Sequence, residues 1–101
     1  MAETLELSVV VPMHNEAGNA GALVAEIAAA LDGRAYEMIM VDDASTDDTR
    51  AVLAALKADF PALRVVSHRL NAGQSRAIRT GVRAARGRVI GTRDGDGQND
   101  P

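Results

Sequence analysis

The chain has 101 residues, 47% hydrophobic and 25% charged, with a formal net charge of −3, a profile that fits one folded domain and excludes a disordered tail. It has no cysteine, which excludes a disulfide scaffold, thiolate metal sites and a cysteine nucleophile and makes a reducing, cytoplasmic compartment the expectation. Tyr36 and Phe60 are the only aromatics, too few for a base-stacking platform, so no nucleic-acid partner is expected, and no run approaches the ~18 apolar residues of a membrane helix.

In chain order, Leu7 to Val11 is a short apolar run closed by Pro12, which predicts a buried strand ending there. Asn15 or Asn19 can cap the helix that follows, whose buried stripe is Ala20, Leu23, Val24, Ile27 and Leu31, ended by Asp32-Gly33. Tyr36 to Val41 reads as the second strand and stops at Asp42-Asp43. Ser45 followed by Asp48 matches a capping box for a helix carrying Val52, Leu53 and Leu56 inward. After Pro61, Leu63 to Ser67 is a third strand, Gln74 to Arg86 a third helix ended by Gly87, and Val89 to Thr92 a fourth strand.

Strands alternating with helices imply right-handed βαβ crossovers: an α/β fold with a Rossmann-like parallel sheet of about four strands and helices on both faces. Ligands of such sheets bind beyond the carboxyl ends of the strands. That rule selects the loops at Pro12 to Glu16, Asp42 to Ser45, His68 to Gln74 and Asp94 to Gln98.

The last of these, Asp94-Gly95-Asp96-Gly97-Gln98, puts Asp94, Asp96 and Gln98 on one side of an extended segment. Such an oxygen set suits Mg²⁺ or Mn²⁺, although Asp and Gly also make ordinary solvated turns. One carboxylate of Asp42-Asp43 could accept from a nucleobase or ribose while the other holds the loop, or both could serve the loop alone. His14 could stack on or bond a base, and Glu16 could accept from base or sugar. The glycine fingerprint of a dinucleotide site is absent after the first strand, which argues against NAD.

Charge is divided along the chain. Up to residue 63, eleven acids face Arg34, Arg50 and Lys57; from Arg64 to Arg93 there are eight arginines and no acid. Within the third helix Arg76, Arg79, Arg83 and Arg86 form one basic stripe opposite Ile78, Gly81, Val82 and Ala85. The stripe is either a solvated face or a surface for an anion, and Arg76 is the member nearest a diphosphate.

Four segments together carry a resemblance: Val9 to Glu16 (VVVPMHNE), Val41 to Thr49 (VDDASTDDT), Asn71 to Gln74 with Gly81, and Asp94 to Pro101 (DGDGQNDP). In this order the chain resembles the N-terminal, donor-binding half of family 2 glycosyltransferases with the GT-A fold, in particular the polyprenyl-phosphate sugar synthases of the dolichol-phosphate mannosyltransferase type. The resemblance covers nearly the whole chain, 1–101, and implies that the acceptor half is absent. It implies that Pro12, His14, Glu16, Asp43, Gln74, Arg76, Asp94 and Asp96 bind a nucleotide diphosphate sugar of UDP or GDP type. Asp94, Asp96 and Gln98 would hold the Mg²⁺ or Mn²⁺.

The implied reaction is inverting transfer to an acceptor, a polyprenyl phosphate by this likeness. Any catalytic base, most of the acceptor pocket and the membrane contact would lie beyond Pro101. The full-length enzyme would then sit at the cytoplasmic face of the membrane, the 101-residue chain alone would be inactive, and its bare sheet edge would favour a homodimer. His14 replaces the usual tyrosine or phenylalanine, and Ala44 a glycine. The competing reading is a non-catalytic, receiver-like Mg²⁺-binding domain, which would carry its paired acids after the first strand rather than the second.

Overall fold

The computed structural model describes residues 4–93. Its elements alternate as expected: β1 (Leu7–Met13), α1 (Ala17–Ala30), β2 (Tyr36–Asp43), α2 (Thr49–Leu56), β3 (Leu63–His68), α3 (Gln74–Ala84) and β4 (Val89–Thr92). All strand pairs are parallel, in the order β3-β2-β1-β4. The chain thus steps outward from β1 to β3 and then returns across the sheet to place β4 on the far side of β1. The carboxyl ends of β1 and β4 consequently flank the switch point, where a crevice opens in sheets of this kind.

Strand β1 runs one residue past Pro12, to Met13. The Val10 carbonyl accepts from the Arg93 N–H (2.9 Å), so the peptide groups of Val10, and two residues on of Pro12, face β4. The pairing with β4 ends at Val10 and Thr92, whereas the pairing with β2 continues through Pro12 to Met13. The missing prolyl N–H therefore falls on the β4 side, beyond the last β1–β4 pair among the described residues.

The two faces of the sheet are covered unequally. Val11, Met13, Met38 and Met40 pack under α1 and α2 with Leu23, Val24, Ile27 and Leu53. On the other face Val10, Ile39 and Val41 meet Ala77 of α3. The buried residues of α3 are Ala77 and Gly81, with Ala84 and Ala85 partly buried beside them. The expected apolar face is thereby corrected, because Val82 points outward, 38% exposed. Small residues let the helix lie close: a Cβ at Gly81 would stand 2.3 Å from Val10 Cγ1 and 3.1 Å from Val41 Cγ2.

Helix α3 also ends two residues early. Ala85 is extended (φ −69°, ψ 141°) and the Arg86 N–H donates to Glu37 Oε2 at 2.7 Å, which takes Arg86 out of the helical stripe. Glu37 is buried near the start of β2 and also accepts from Ser8 Oγ (2.6 Å) and Arg64 Nη1 (2.8 Å). Arg64 Nη1 further donates to the Ala84 carbonyl, and the Gly87 N–H to Ser8 Oγ. Burial would push the Glu37 carboxyl up, but these donors and the Arg64 charge hold it below the usual carboxylate range.

Gly81→Ala is expected to destabilise the fold by about 1–3 kcal/mol, because the short, buried Val10 side chain it meets has no room to move. Thermal unfolding checks this, and an unchanged midpoint would show that α3 rides loosely on the sheet.

Candidate functional site

The carboxyl edge is built around Asp43, the last residue of β2. Alternation along β2 sends its side chain to the α3 face with Ile39 and Val41. There Oδ1 accepts from the Ala72 N–H (2.9 Å) and from His68 Nδ1 (2.8 Å), and Oδ2 from the Gly73 N–H (2.8 Å). The Asp43 carbonyl takes a hydrogen bond from His14 Nδ1 (2.8 Å). Since a carbonyl can only accept, Nδ1 of His14 carries a proton, while Nε2 is approached by Asn15 Nδ2 (3.4 Å) and Asn71 Nδ2 (3.5 Å). One residue thus joins the loops that follow β1, β2 and β3.

Burial alone would raise the Asp43 carboxyl, but the bonds from His68, Ala72 and Gly73 and the His68 charge hold it below the ordinary aspartate value. His68 Nε2 in turn hydrogen-bonds with Thr80 Oγ1 (2.8 Å), which ties the end of β3 to the middle of α3.

Asp42 faces the other side of the sheet, where its Oδ1 accepts from the Ser45 hydroxyl and, at 3.3 Å, from the Ser45 N–H. The capping box expected at Ser45 does not form. Helix α2 begins only at Thr49, and the Thr49 N–H goes to Asp47 Oδ1 at 2.9 Å. Ser45 Oγ instead accepts the Asn15 N–H (2.9 Å) from the loop after β1.

That loop and the one after β2 are stapled reciprocally. Asn15 Oδ1 accepts from the N–H groups of Thr46 (2.7 Å) and Asp47 (3.2 Å). The start of α1 is capped from across the gap, with the Glu16 N–H on Thr49 Oγ1 (2.8 Å) and the Ala17 N–H on Asp47 Oδ2 (3.3 Å). The residue before α1 is Glu16, which makes no side-chain cap. Neither asparagine caps this helix as expected: Asn19 lies inside it, and Asn15 bonds the neighbouring loop.

Two residues of these loops have left-handed backbones, Asn15 (φ 55°) and Ala44 (φ 57°). Asparagine tolerates that region; alanine is strained there.

Around this frame His14, Gln74 and Arg76 are exposed, Glu16 is half-buried and Pro12 is buried. Asn71 Nδ2 approaches His14 Nδ1 at 3.3 Å. His14, Glu16 and Asp43 are brought to one edge, and Gln74 and Arg76 open the first turn of α3 beside the residues that Asp43 holds. The sequence reading missed His68, Thr80, Asn15 and Thr49 as members of this frame. Their bonds join positions 12 to 33 residues apart, and only the clustering of polar residues at strand ends hinted at them. Asp94, Asp96 and Gln98 lie outside the described residues. Among the described residues no group of three or more His, Asp or Glu side chains could hold a metal ion.

Sheet order, switch point and fixed edge loops together define a Rossmann-like α/β domain with its ligand edge beside β1 and β4. The description of Glycosyl transferase family 2 matches residues 8–101, and the chain belongs to that family.

Among its relatives is the dodecaprenyl-phosphate galacturonate synthase of Rhizobium johnstonii, 46% identical over 104 residues, covering 98% of this chain and 30% of the relative. The undecaprenyl-phosphate 4-deoxy-4-formamido-L-arabinose transferase of Pseudomonas aeruginosa is 40% identical over 98 residues, covering 94% and 29%.

Among solved structures, a mannosyltransferase from Pyrobaculum calidifontis in complex with GDP-Man and Mn²⁺ aligns with TM-score 0.83 and 28% identity, over 94% of this chain and 28% of that one. The glucosyl-3-phosphoglycerate synthase of Mycobacterium tuberculosis, in complex with Mn²⁺, UDP and glucosyl-3-phosphoglycerate, aligns with TM-score 0.73 and 28% identity, over 91% and 34%. Such neighbours are GT-A glycosyltransferases. The chain spans about 30% of the length of the curated relatives it matches.

Ala44→Gly is expected to stabilise the fold by about 0.5–1 kcal/mol, the left-handed strain relieved less the extra freedom glycine has when unfolded. A lower melting temperature for that variant would contradict the strained turn.

Asp43→Asn removes a charged acceptor of buried N–H groups and is expected to lower stability at neutral pH by about 2 kcal/mol. Because the carboxyls of Asp43, Glu37 and Asp47 are all depressed, the stability they contribute is complete above the ordinary carboxylate range. It is lost as pH falls through the lower folded values, below about pH 4. Urea titrations across that window should show a shallower acid loss in Asp43→Asn than in the parent. Equal slopes would remove Asp43 from the pH response.

Proposed function

We propose that this chain is the donor-binding part of an inverting glycosyltransferase that moves a sugar from a nucleoside diphosphate sugar to a polyprenyl phosphate. The observation that carries the reading is the edge itself: three loops meet at Asp43 beside the switch crevice, whose other flank is β4, and in sequence Asp94-Gly95-Asp96-Gly97-Gln98 comes directly after Arg93. Polyprenyl phosphate enters from the names of the curated relatives, and nucleotide sugar with Mn²⁺ from the titles of the structural neighbours.

In this reading Pro12, His14 and Glu16 line the nucleoside pocket. A carboxylate offers about four acceptor positions, and Asp43 uses three on its own chain, which leaves one for a nucleobase N–H. His14, fixed through Nδ1, presents Nε2 or its ring face. Gln74 and Arg76, at the positive end of α3, face the diphosphate. Asp94, Asp96 and Gln98 form a hard-oxygen donor set that fits Mg²⁺ or Mn²⁺, and the bound ion would offset the charge that develops on the leaving diphosphate. The acceptor phosphate oxygen attacks the anomeric carbon as the bond to the diphosphate oxygen breaks; the acceptor is already an anion and requires no base from this chain. The acceptor site belongs to the remaining length that the relatives have, and the enzyme works at the cytoplasmic face of the membrane.

UDP or GDP at a hundredfold excess over its Kd should stabilise the chain by about 2.7 kcal/mol, and only when Mn²⁺ or Mg²⁺ is present. Asp96→Ala should abolish that gain without altering the melting point of the free chain. A gain of equal size in the absence of metal would refute the donor-site reading.

A further inference from the structure

The outward face of α3 has no part in the donor site as far as Arg79 and Arg83 are concerned. Ala77, Gly81 and Ala84 turn one side of this helix to the sheet. Geometry at 100° per residue then puts Arg76, Arg79 and Arg83 on the opposite side, together with Val82. All three arginines are exposed. The ion pairs among the described residues are Arg34 with Glu6, Arg64 with Glu37, His68 with Asp43 and Arg93 with Glu26; none involves the helix. The two acids of β2 on this face of the sheet, Glu37 and Asp43, are buried and bonded inward. Arg69, Arg86 and Arg88, just beyond the two ends of α3, are exposed as well, so the patch continues past the helix.

We propose that the outward face of α3 is a docking surface for an anionic lipid bilayer. Three arguments favour a membrane over a small anion. The charges run about 10 Å along the helix from Arg76 to Arg83, and farther with Arg69, Arg86 and Arg88 beyond its ends, rather than being gathered in a pocket. No acid stands between Arg64 and Arg93 to neutralise them. Large apolar side chains among them are open to solvent, Val82 on the helix and Leu70 and Val89 beside Arg69 and Arg88. The exposed acids of residues 1–63 do not oppose docking, because Glu26 lies on α1 and Asp32, Asp47, Asp48 and Asp59 lie in the loops next to α1 and α2, across the sheet, near or beyond the screening length of about 10 Å at 0.1 M salt.

The direction of the helix gives this surface a consequence. The start of α3 stands at the ligand edge, where Asp43 holds Gly73, and its end lies at the opposite edge, where Glu37 holds Arg86. With the arginine face on the headgroups, the sheet lies along the bilayer and its ligand edge opens sideways at headgroup height. This orientation rests on the proposed lipid-phosphate acceptor for its meaning, but the docking itself does not.

The test is cosedimentation of the chain with vesicles of equimolar phosphatidylcholine and phosphatidylglycerol at low salt, compared with pure phosphatidylcholine. Binding should require the anionic lipid and disappear at 1 M salt, where screening acts over about 3 Å. Each arginine removed from an anionic surface lowers partitioning about fivefold, so the double variant Arg79→Gln/Arg83→Gln should bind about twenty-five-fold less. The pair Arg50→Gln/Lys57→Gln, on α2 and just after it behind the sheet, removes the same charge and should leave binding unchanged. Absence of binding to the anionic vesicles, or equal loss in the two double variants, would overturn the proposal. The stabilisation by nucleotide and Mn²⁺ is read separately in the Arg79→Gln/Arg83→Gln chain: its retention alongside lost vesicle binding assigns the loss to the surface, and its absence in the parent chain counts against the donor site alone.

Discussion

The hydrogen bonds of Asp43 are what make an edge of separate loops into one site. In a parallel sheet the carboxyl ends of the strands deliver chain of unlike length and composition to the same region, and a ligand can be read there only if those segments hold fixed positions. Asp43 takes His14 on its carbonyl and His68, Ala72 and Gly73 on its carboxylate. The residue is almost wholly buried, so these bonds work in a medium less polar than water and would leave several groups unpaired together if the carboxylate were lost. Reciprocal bonds of Asn15, Ser45, Asp47 and Thr49 then lock the first two loops to each other on the far side of β2.

Glu37, the other buried acid of the α3 face of β2, does the matching work at the opposite edge. It holds Ser8 of β1, Arg64 of β3 and the Arg86 N–H where the chain leaves α3 for β4. Helix α3 is thus pinned at both ends by carboxylates of one strand and held close in the middle because Gly81 has no Cβ. That triple constraint directs the return of the chain across the sheet, since the turn clamped at Glu37 and Ser8 feeds β4 to the open side of β1. The switch point, and with it the place of the ligand edge, follows from a polar cluster at the end of the molecule farthest from that edge.

Much of this was legible in the sequence. Strands and helices alternate where apolar runs and helical stripes predict them, because the central strands β1 and β2 are buried on both faces and each helix must turn its apolar side to the sheet. The edge loops were legible for the same reason that Asp, Asn and His are unusual directly after buried strands. What could not be read was who bonds whom. Ser45 has the spacing of a cap, but Asp42 and Asn15 offer it partners that exist only once β1 and β2 are paired in register. Pro12 does not end its strand, because its missing N–H is on the β4 side and the pairing with β2 continues through it to Met13. The apolar face of α3 was read correctly at Gly81 and Ala85 but wrongly at Val82, because hydrophobicity favours valine there, whereas the constraint is closeness to Val10 and Val41, which favours the small Ala77 and Gly81. Strand order, and hence the switch point, is a property of the folded sheet and leaves no local mark.

The same packing explains the charge division seen along the chain. On the α3 face the carboxylates point inward, where each is satisfied by backbone N–H groups, a hydroxyl, a histidine or the single Arg64 guanidinium. The remaining arginines of this region cannot reach them, because the backbone of α3 lies between. Their positive field is therefore directed away from the sheet, while Glu26 of α1 and the loop acids Asp32, Asp47, Asp48 and Asp59, which outnumber Arg50 and Lys57, direct theirs from the opposite side. A chain with a net charge of only −3 thus carries a charge separation across its thickness, and it is this separation, fixed by the helix that Asp43 and Glu37 pin, that would orient the domain against any large anionic surface it meets.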